Sequence, residues 1–224
     1  MNDPVVVVAA HPDDEVLGCG GALARMALEG RAVHILLLAD GETSRTEGSN
    51  RLAARNAAAE SACKILGCAS VEVLGLPDNR LDGVELLDVV KRIEVSVEHH
   101  RPSTVLTHHV GDVNVDHRVA HEAVLAACRP RPGHPVTELL FFEVPSSTEW
   151  RPPGSAEPFA PNWFVDISKT LAVKLKALQV YRSELRKFPH PRSLRAVEAL
   201  ARWRGATVGV EAAEAFVLGR KINR

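Results

Sequence analysis

Short apolar runs alternate with longer segments of mixed polarity along this chain, and the first of them is the most regular. Val5 to Ala10 is unbroken by any polar residue, which predicts a strand buried on both faces. Glu15 to Glu29 predicts a helix stopped by Gly30. Val33 to Leu38 predicts a second strand, followed by a polar loop from Glu42 to Asn50 and a helix from Arg51 to Leu66. Val71 to Leu74 and Ser103 to Thr107 read as further strands, with a helix from Val84 to Glu98 between them. His117 to Cys128 reads as a helix, Glu138 to Val144 and Trp163 to Val165 as strands. Helices at Ser168 to Leu185 and Ser193 to Arg204 complete the series, and Glu211 and Glu214 read as solvent-facing helix charges. Alternation of this kind predicts an α/β, Rossmann-like three-layer fold: a mostly parallel sheet with helices on both faces. The proline-rich stretches at 129–135 and 151–161 mark loops rather than a boundary, so residues 1–224 are expected to form one domain.

Composition narrows the function more by exclusion than by suggestion. Of 224 residues, 46% are hydrophobic, enough for one full core. Lysine plus arginine (27) nearly balances aspartate plus glutamate (28), so no global field argues for nucleic acid or an anionic membrane. The apolar runs are too short to span a bilayer, and the opening MNDPVVVV lacks the basic start of a secretory signal. Cys19, Cys63, Cys68 and Cys128 show no metal-ligand or disulfide spacing; reduced thiols in a cytoplasmic protein are the expectation.

The chemistry is concentrated at two strand ends. His11-Pro12-Asp13-Asp14-Glu15 follows the first strand directly. Pro12 suits the first turn of a helix, so the chain is expected to pass from strand to helix there. His11 and Asp14, three apart across the junction, can converge on one ion while Asp13 points elsewhere as a base. Helix capping is the plainer reading of the acids, each stabilising a first turn by about 0.3–1 kcal/mol, but it leaves the histidine unexplained. The strand at 103–107 runs into a second polar cluster, His108-His109-Val110-Gly111-Asp112-Val113-Asn114-Val115-Asp116-His117-Arg118. Ligands of parallel sheets collect beyond the carboxyl ends of strands where strand order reverses. His11, Asp14 and His117 together would supply two nitrogens and an oxygen to zinc and leave a fourth position for water; iron(II) and cobalt suit the same donors.

AHPDDEVLGCGG with a distant DH motif, here VDHRVAH, resembles the PIG-L/LmbE-like zinc N-deacetylases, which act on N-acetylglucosamine-type conjugates. The resemblance implies zinc on His11, Asp14 and His117, Asp13 as general base, and a small amino-sugar substrate; it permits homo-oligomers. It also suggests a substrate contact for Arg55, near the start of its helix, and for Asp78, just past the third strand. Many members carry histidine where this chain has Asn114. An asparagine amide can polarise a carbonyl but cannot shuttle a proton, which leaves amine protonation to Asp13, His109 or His190. An amidase acting on a larger sugar or thiol-conjugate amide, and a sugar-binding homologue with weakened catalysis, are the alternatives.

Plainer readings stand beside several of these. Arg55 also reads as a solvated helix arginine, Asp78 as a turn residue, and His121 as a helix-packed histidine. His190, between Pro189 and Pro191, reads as a pocket wall or as a surface turn capped by Ser193. Either His108 or His109 could orient a metal ligand from behind. Gly18, Gly20 and Gly21 lie past the strand-to-helix turn and do not fit a dinucleotide fingerprint; close packing of their helix is the expected reason for them.

Overall fold

A computed structural model describes residues 3–41 and 50–223, so all but the last residue of the expected polar loop at 42–50 lies outside it. Strands β1 (Val5–Ala9), β2 (Val33–Ala39), β3 (Ser70–Leu76), β4 (Thr104–His108), β5 (Glu138–Phe142), β6 (Trp163–Asp166) and β7 (Ala213–Lys221) form one sheet. Their order is β3-β2-β1-β4-β5-β7-β6. The pairs from β3 through β5 are all parallel, while β7 runs antiparallel between β5 and β6. Strand order reverses between β1 and β4, the two strands that end in the polar clusters.

Helices α1 (Asp14–Leu28), α2 (Asn50–Leu66), α3 (Leu86–His100), α4 (Val115–Ala127), α5 (Leu171–Leu178) and α6 (Leu194–Ala206) cover the sheet. The period of two along β1 divides the core. Val5, Val7 and Ala9 pack into one cluster with residues of α1, α2, α5 and α6, whereas Val6 and Val8 pack into another with α3 and α4. The three-layer, mostly parallel arrangement predicted from the alternating pattern is therefore present.

The glycines of α1 serve packing. A Cβ on Gly18 would overlap the Phe142 ring, and one on Gly21 would come within 2.8 Å of Ile167. Only residues without side chains let α1 lie this close to β5 and to the segment after β6.

The C-terminal third departs from expectation. The helix expected to reach Leu185 ends at Leu178, and turns follow up to α6. Residues 213–221, not foreseen as a strand, form the antiparallel strand β7. Glu214, expected on a solvent-facing helix, is buried in that strand, while Glu211 is exposed in the bend ahead of it. Glu214 accepts hydrogen bonds from the Gly21 and Ala22 N–H groups at 3.0 and 2.6 Å and pairs with the buried Lys174 ammonium at 2.5 Å. Lys174 in turn donates to the Leu17 carbonyl at 2.8 Å. The pair thus ties the middle of α1 to β7 and α5.

Candidate metal centre

The first polar cluster is shaped by the exit from β1. The Ala10 N–H donates to His108 Nε2 at 2.8 Å, fixing the end of β1 against the end of β4. The chain then turns so that Asp13, at φ 117°, stands ahead of α1 and its carbonyl accepts from the Val16 and Leu17 N–H groups. That backbone region is strained for a side-chain-bearing residue and tends to persist where surrounding contacts enforce it. Here Glu15 does so: Oε2 accepts the Asp13 N–H at 2.9 Å while Oε1 accepts the Tyr181 hydroxyl at 2.6 Å.

The turn separates the two aspartates as expected. Asp14 Oδ2 lies 3.1 Å from His11 Nδ1 and 3.1 Å from His117 Nε2. The imidazoles of His11 and His117, 106 positions apart in sequence, have ring centroids 5.5 Å apart. One donor atom from each of His11, Asp14 and His117 lies within 4.8 Å of the other two, and all three residues are buried. Asp14 Oδ1 is buried without a hydrogen-bond partner, and His117 Nε2, also buried, has the ion-pair contact with Asp14 Oδ2 but no well-aligned hydrogen bond, a costly state unless something else satisfies them. Buried ligand atoms left in this state fit a cation site. Asp13 is outside this group of three, with Oδ2 accepting from Arg192 Nη1 at 3.0 Å.

Each imidazole is held from behind by a carboxylate that the sequence reading left without a role. Asp112 Oδ2 lies 3.0 Å from His117 Nδ1 and accepts from Thr148 at 2.7 Å, while Oδ1 accepts from Ser147. Asp116 Oδ2 lies 3.0 Å from His11 Nε2, and its two oxygens accept the Asn79 and Leu81 N–H groups at 2.7 and 2.9 Å. Such bonds fix which ring nitrogen faces the site. His108, one of the two neighbours expected in that role, stacks on His117 at 3.9 Å between centroids, with Nε2 3.7 Å from Asp14 Oδ2.

Burial and pairing pull these groups in opposite directions. Burial disfavours the His11 imidazolium, but the hydrogen bonds to Asp116 and Asp14 and the charges of Asp14 and Asp78 push its pKa up to about 10. Burial likewise opposes the His117 charge, and Asp14 and Asp112 overcome it, giving about 9. Burial alone would raise Asp14, yet the His117 charge and the bonds from both histidines hold it well below the usual carboxylate range. Burial dominates at Asp13 and raises it to about 6 in spite of the nearby Arg192 charge.

The remaining candidates are brought near the centre, but most are engaged by the protein itself. Asn114 is the N-cap of α4: its Oδ1 accepts the Asp116 N–H at 2.8 Å and its amide donates to Asn79 Oδ1 at 3.1 Å. It therefore positions the helix carrying His117, and one of its two amide N–H groups is engaged by Asn79. Arg55 is no solvated arginine. Buried, it donates to the Pro12 and Gly41 carbonyls at 3.1 and 3.0 Å and to Glu184 at 3.0 Å; Gly41, at φ +70°, leaves the room this requires. Asp78 Oδ1 lies 3.2 Å from His11 Nε2, beside Asp116. The His109 ring nitrogen Nε2 lies 3.0 Å from the Glu157 carbonyl oxygen, and the ring packs edge-on against Phe159, which secures the 151–161 loop. The His121 ring nitrogen Nδ1 lies 2.9 Å from the His108 carbonyl oxygen, and the ring meets Phe141, the packed state given as its plainer reading. In the 189–193 loop it is Arg192, not His190, that reaches Asp13; His190 Nδ1 accepts the Arg192 N–H at 3.1 Å.

A mostly parallel α/β sheet with a buried histidine–aspartate cluster at its switch point defines an α/β protein built around a candidate cation site. The family model described as GlcNAc-PI de-N-acetylase (PIG-L) matches residues 6–128, more than half of the chain and both polar clusters. The chain belongs to the PIG-L family. It is similar to the uncharacterized deacetylase YaiS of Escherichia coli, 30% identical over 80% of this chain and 90% of that protein. Similarity extends to the diacetylchitobiose deacetylase of Thermococcus kodakarensis, 31% identical with 80% and 69% covered. The 4-oxalmesaconate hydratase of Pseudomonas putida is also 31% identical, with 80% and 74% covered.

Proposed function

We propose that this chain is a divalent-metal-dependent hydrolase that removes the N-acetyl group from an N-acetylglucosamine-type sugar, releasing acetate and a free amine. The observation that carries this reading is the convergence of His11, Asp14 and His117 on one buried point, with Asp13 beside them in sequence and held by Arg192 instead of joining the cluster. In the proposal those three residues hold the ion, zinc being the first candidate for a set of two imidazoles and one carboxylate. A cation held there acidifies water and polarises a carbonyl. The residues then divide the remaining work. Asp13 takes a proton from the attacking water on its carboxylate as the hydroxyl adds to the acetyl carbon. When the C–N bond breaks, the same carboxylate returns the proton to the departing nitrogen, a transfer the Asn114 amide cannot make. Arg192 keeps Asp13 oriented and favours its ionised form before the reaction, and Asp112 and Asp116 hold the imidazoles in one tautomer each.

The hydratase relative supports a second reading, addition of water to an unsaturated acid on the same scaffold. A screen of N-acetylated amino sugars for free amine and acetate, with and without chelator, separates the two. Stoichiometric acetate that is lost on chelation supports deacetylation. Absence of acetate, with loss of ultraviolet absorbance from an unsaturated dicarboxylate, would favour hydration instead.

Two further results are expected. Metal ligation needs neutral imidazoles, whereas His11 and His117, with pKa values of about 10 and 9, are protonated in the metal-free chain at pH 7.5. Loading at that pH should release about two protons per ion, and apparent affinity should rise with pH until about 10, the higher of the two values. Calorimetric titration in buffers of different ionisation enthalpy measures this, and heats independent of buffer would count against it. Asp112→Asn removes the acceptor behind His117 and should weaken metal binding about 10–100-fold. Competition with a chromophoric chelator reads the change; unaltered affinity would show that Asp112 is not needed there.

A further inference from the structure

The end of α2 brings two thiols together. The Gly67 N–H bonds back to the Lys64 carbonyl at 3.2 Å and the Cys68 N–H to the Cys63 carbonyl at 3.0 Å, with Gly67 in the left-handed region at φ +75°. A helix that stops in this way sets the side chain of its last full turn against that of the second residue past the cap. Here both are cysteines. The Cys63 S–H donates to the Cys68 carbonyl at 3.6 Å, and the two thiols also hydrogen-bond one another. Both are free, as are Cys19 and Cys128. A disulfide needs α-carbons about 4.4–6.8 Å apart and side chains that face. A backbone bond between the same two residues favours both conditions.

The four thiols differ in reactivity. Cys19 and Cys128 are fully buried, and burial pushes both up, Cys128 to about 12. Cys68 is raised as well, first by the bond it shares with Cys63 and then by burial. Cys63 alone is moved down: the bond from Cys68 favours its thiolate, and with the Lys64 charge it outweighs burial and the Glu60 charge. Cys63 is 5% exposed, and its partner Cys68 is half-buried. A favoured thiolate with access to solvent and a second thiol beside it is the arrangement of oxidant-sensitive cysteines.

We propose that Cys63 and Cys68 form a modification site, a dithiol that hydroperoxides convert to an intramolecular disulfide across the end of α2. The Cys63 thiolate attacks one peroxide oxygen and the O–O bond breaks. That oxygen stays on sulfur as a sulfenic acid, and the other leaves as hydroxide and takes up a proton. The Cys68 sulfur then displaces the sulfenic hydroxyl, which departs as water with the Cys68 proton. Two thiols and one hydrogen peroxide thus give one disulfide and two waters. The new bond closes a turn that already exists. Just past it the Ala69 N–H donates to the Val33 carbonyl at 2.7 Å and β3 begins at Ser70, so the link fastens α2 to the strand that follows. The pair lies at the amino end of β3, whereas the two polar clusters lie beyond the carboxyl ends of β1 and β4. The inference therefore stands apart from the hydrolase reading.

The test treats the full chain with hydrogen peroxide at a dose that oxidises free dithiothreitol, then unfolds, alkylates and digests it with trypsin. Lys64 lies between the two cysteines, so the disulfide should appear as peptides 56–64 and 65–80 joined to each other. Two alkylatable thiols should be lost, those of Cys19 and Cys128 should remain, and a reductant should restore all four. Cys68→Ser keeps a hydrogen-bond donor beside Cys63 but has no second sulfur. It should form no disulfide and should accumulate Cys63 sulfenic acid, read as a dimedone adduct. Four intact thiols after peroxide would overturn the proposal, as would a disulfide from either cysteine to Cys19 or to a second chain. Cys63 left unreacted in Cys68→Ser would overturn the assignment of Cys63 as the attacking sulfur.

Discussion

Asp13→Asn is expected to lower turnover by about 10²–10⁴-fold, the usual range for losing a general base, while metal binding stays within a few-fold of the original chain. Asparagine keeps the size of the side chain, tolerates positive φ better than most residues, and can still accept the Arg192 N–H. What it loses is the ability to take a proton. Asp13 is 1% exposed and not one of the three converging His11–Asp14–His117 side chains, so the variant separates proton transfer from metal retention. Metal content and steady-state rates measured on one preparation decide the point. Near-original activity in Asp13→Asn would remove Asp13 from the reaction; loss of metal together with activity would mean that the two aspartates do not divide their labour.

The second large effect concerns stability. Lys174→Met should lower the free energy of unfolding by about 3–5 kcal/mol, because it leaves the Glu214 charge buried without its partner. Both side chains are almost fully buried, at 3% and 4% exposure, and the Leu17 carbonyl loses a donor as well. Adding Glu214→Gln should recover part of the loss, since a neutral amide oxygen can still accept the Gly21 and Ala22 N–H groups. Urea denaturation of the single and double variants measures both quantities. A loss below about 1 kcal/mol in Lys174→Met, the range of an exposed ion pair, would mean that the pair is solvated in solution. Because α1 begins at Asp14, loosening its clamp should also weaken metal binding.

The parallel half of the fold was legible because β1 and β2 are largely apolar runs and α1 and α2 end just ahead of Gly30 and Gly67. The convergence of His11, Asp14 and His117 was legible for a related reason: each sits immediately beyond a strand or at a helix start, where chain direction limits where a side chain can point. Strand β7 was hidden by its composition. Ala213, Glu214 and Ala215 favour a helical reading, and only pairing with β5 and β6 makes them a strand. Asp112 and Asp116 lay inside the polar stretch that drew attention, but a carboxylate behind a histidine has no spacing rule of its own. Arg192 had still less local signal, since its partner Asp13 is 179 positions away. Asn114 was judged by its chemistry alone. Its place just ahead of a helix, followed by Val115, Asp116 and His117, also fits an N-cap, which is what the structure shows.

The most direct measurement is metal stoichiometry after chelation and reloading, on the original chain and on His11→Ala and His117→Ala. The original chain should take up one divalent ion and regain acetate release with it, and either alanine variant should retain less than about a tenth of that ion under the same dialysis. Full retention of metal in both variants, or undiminished acetate release from the chelated original chain, would contradict the account.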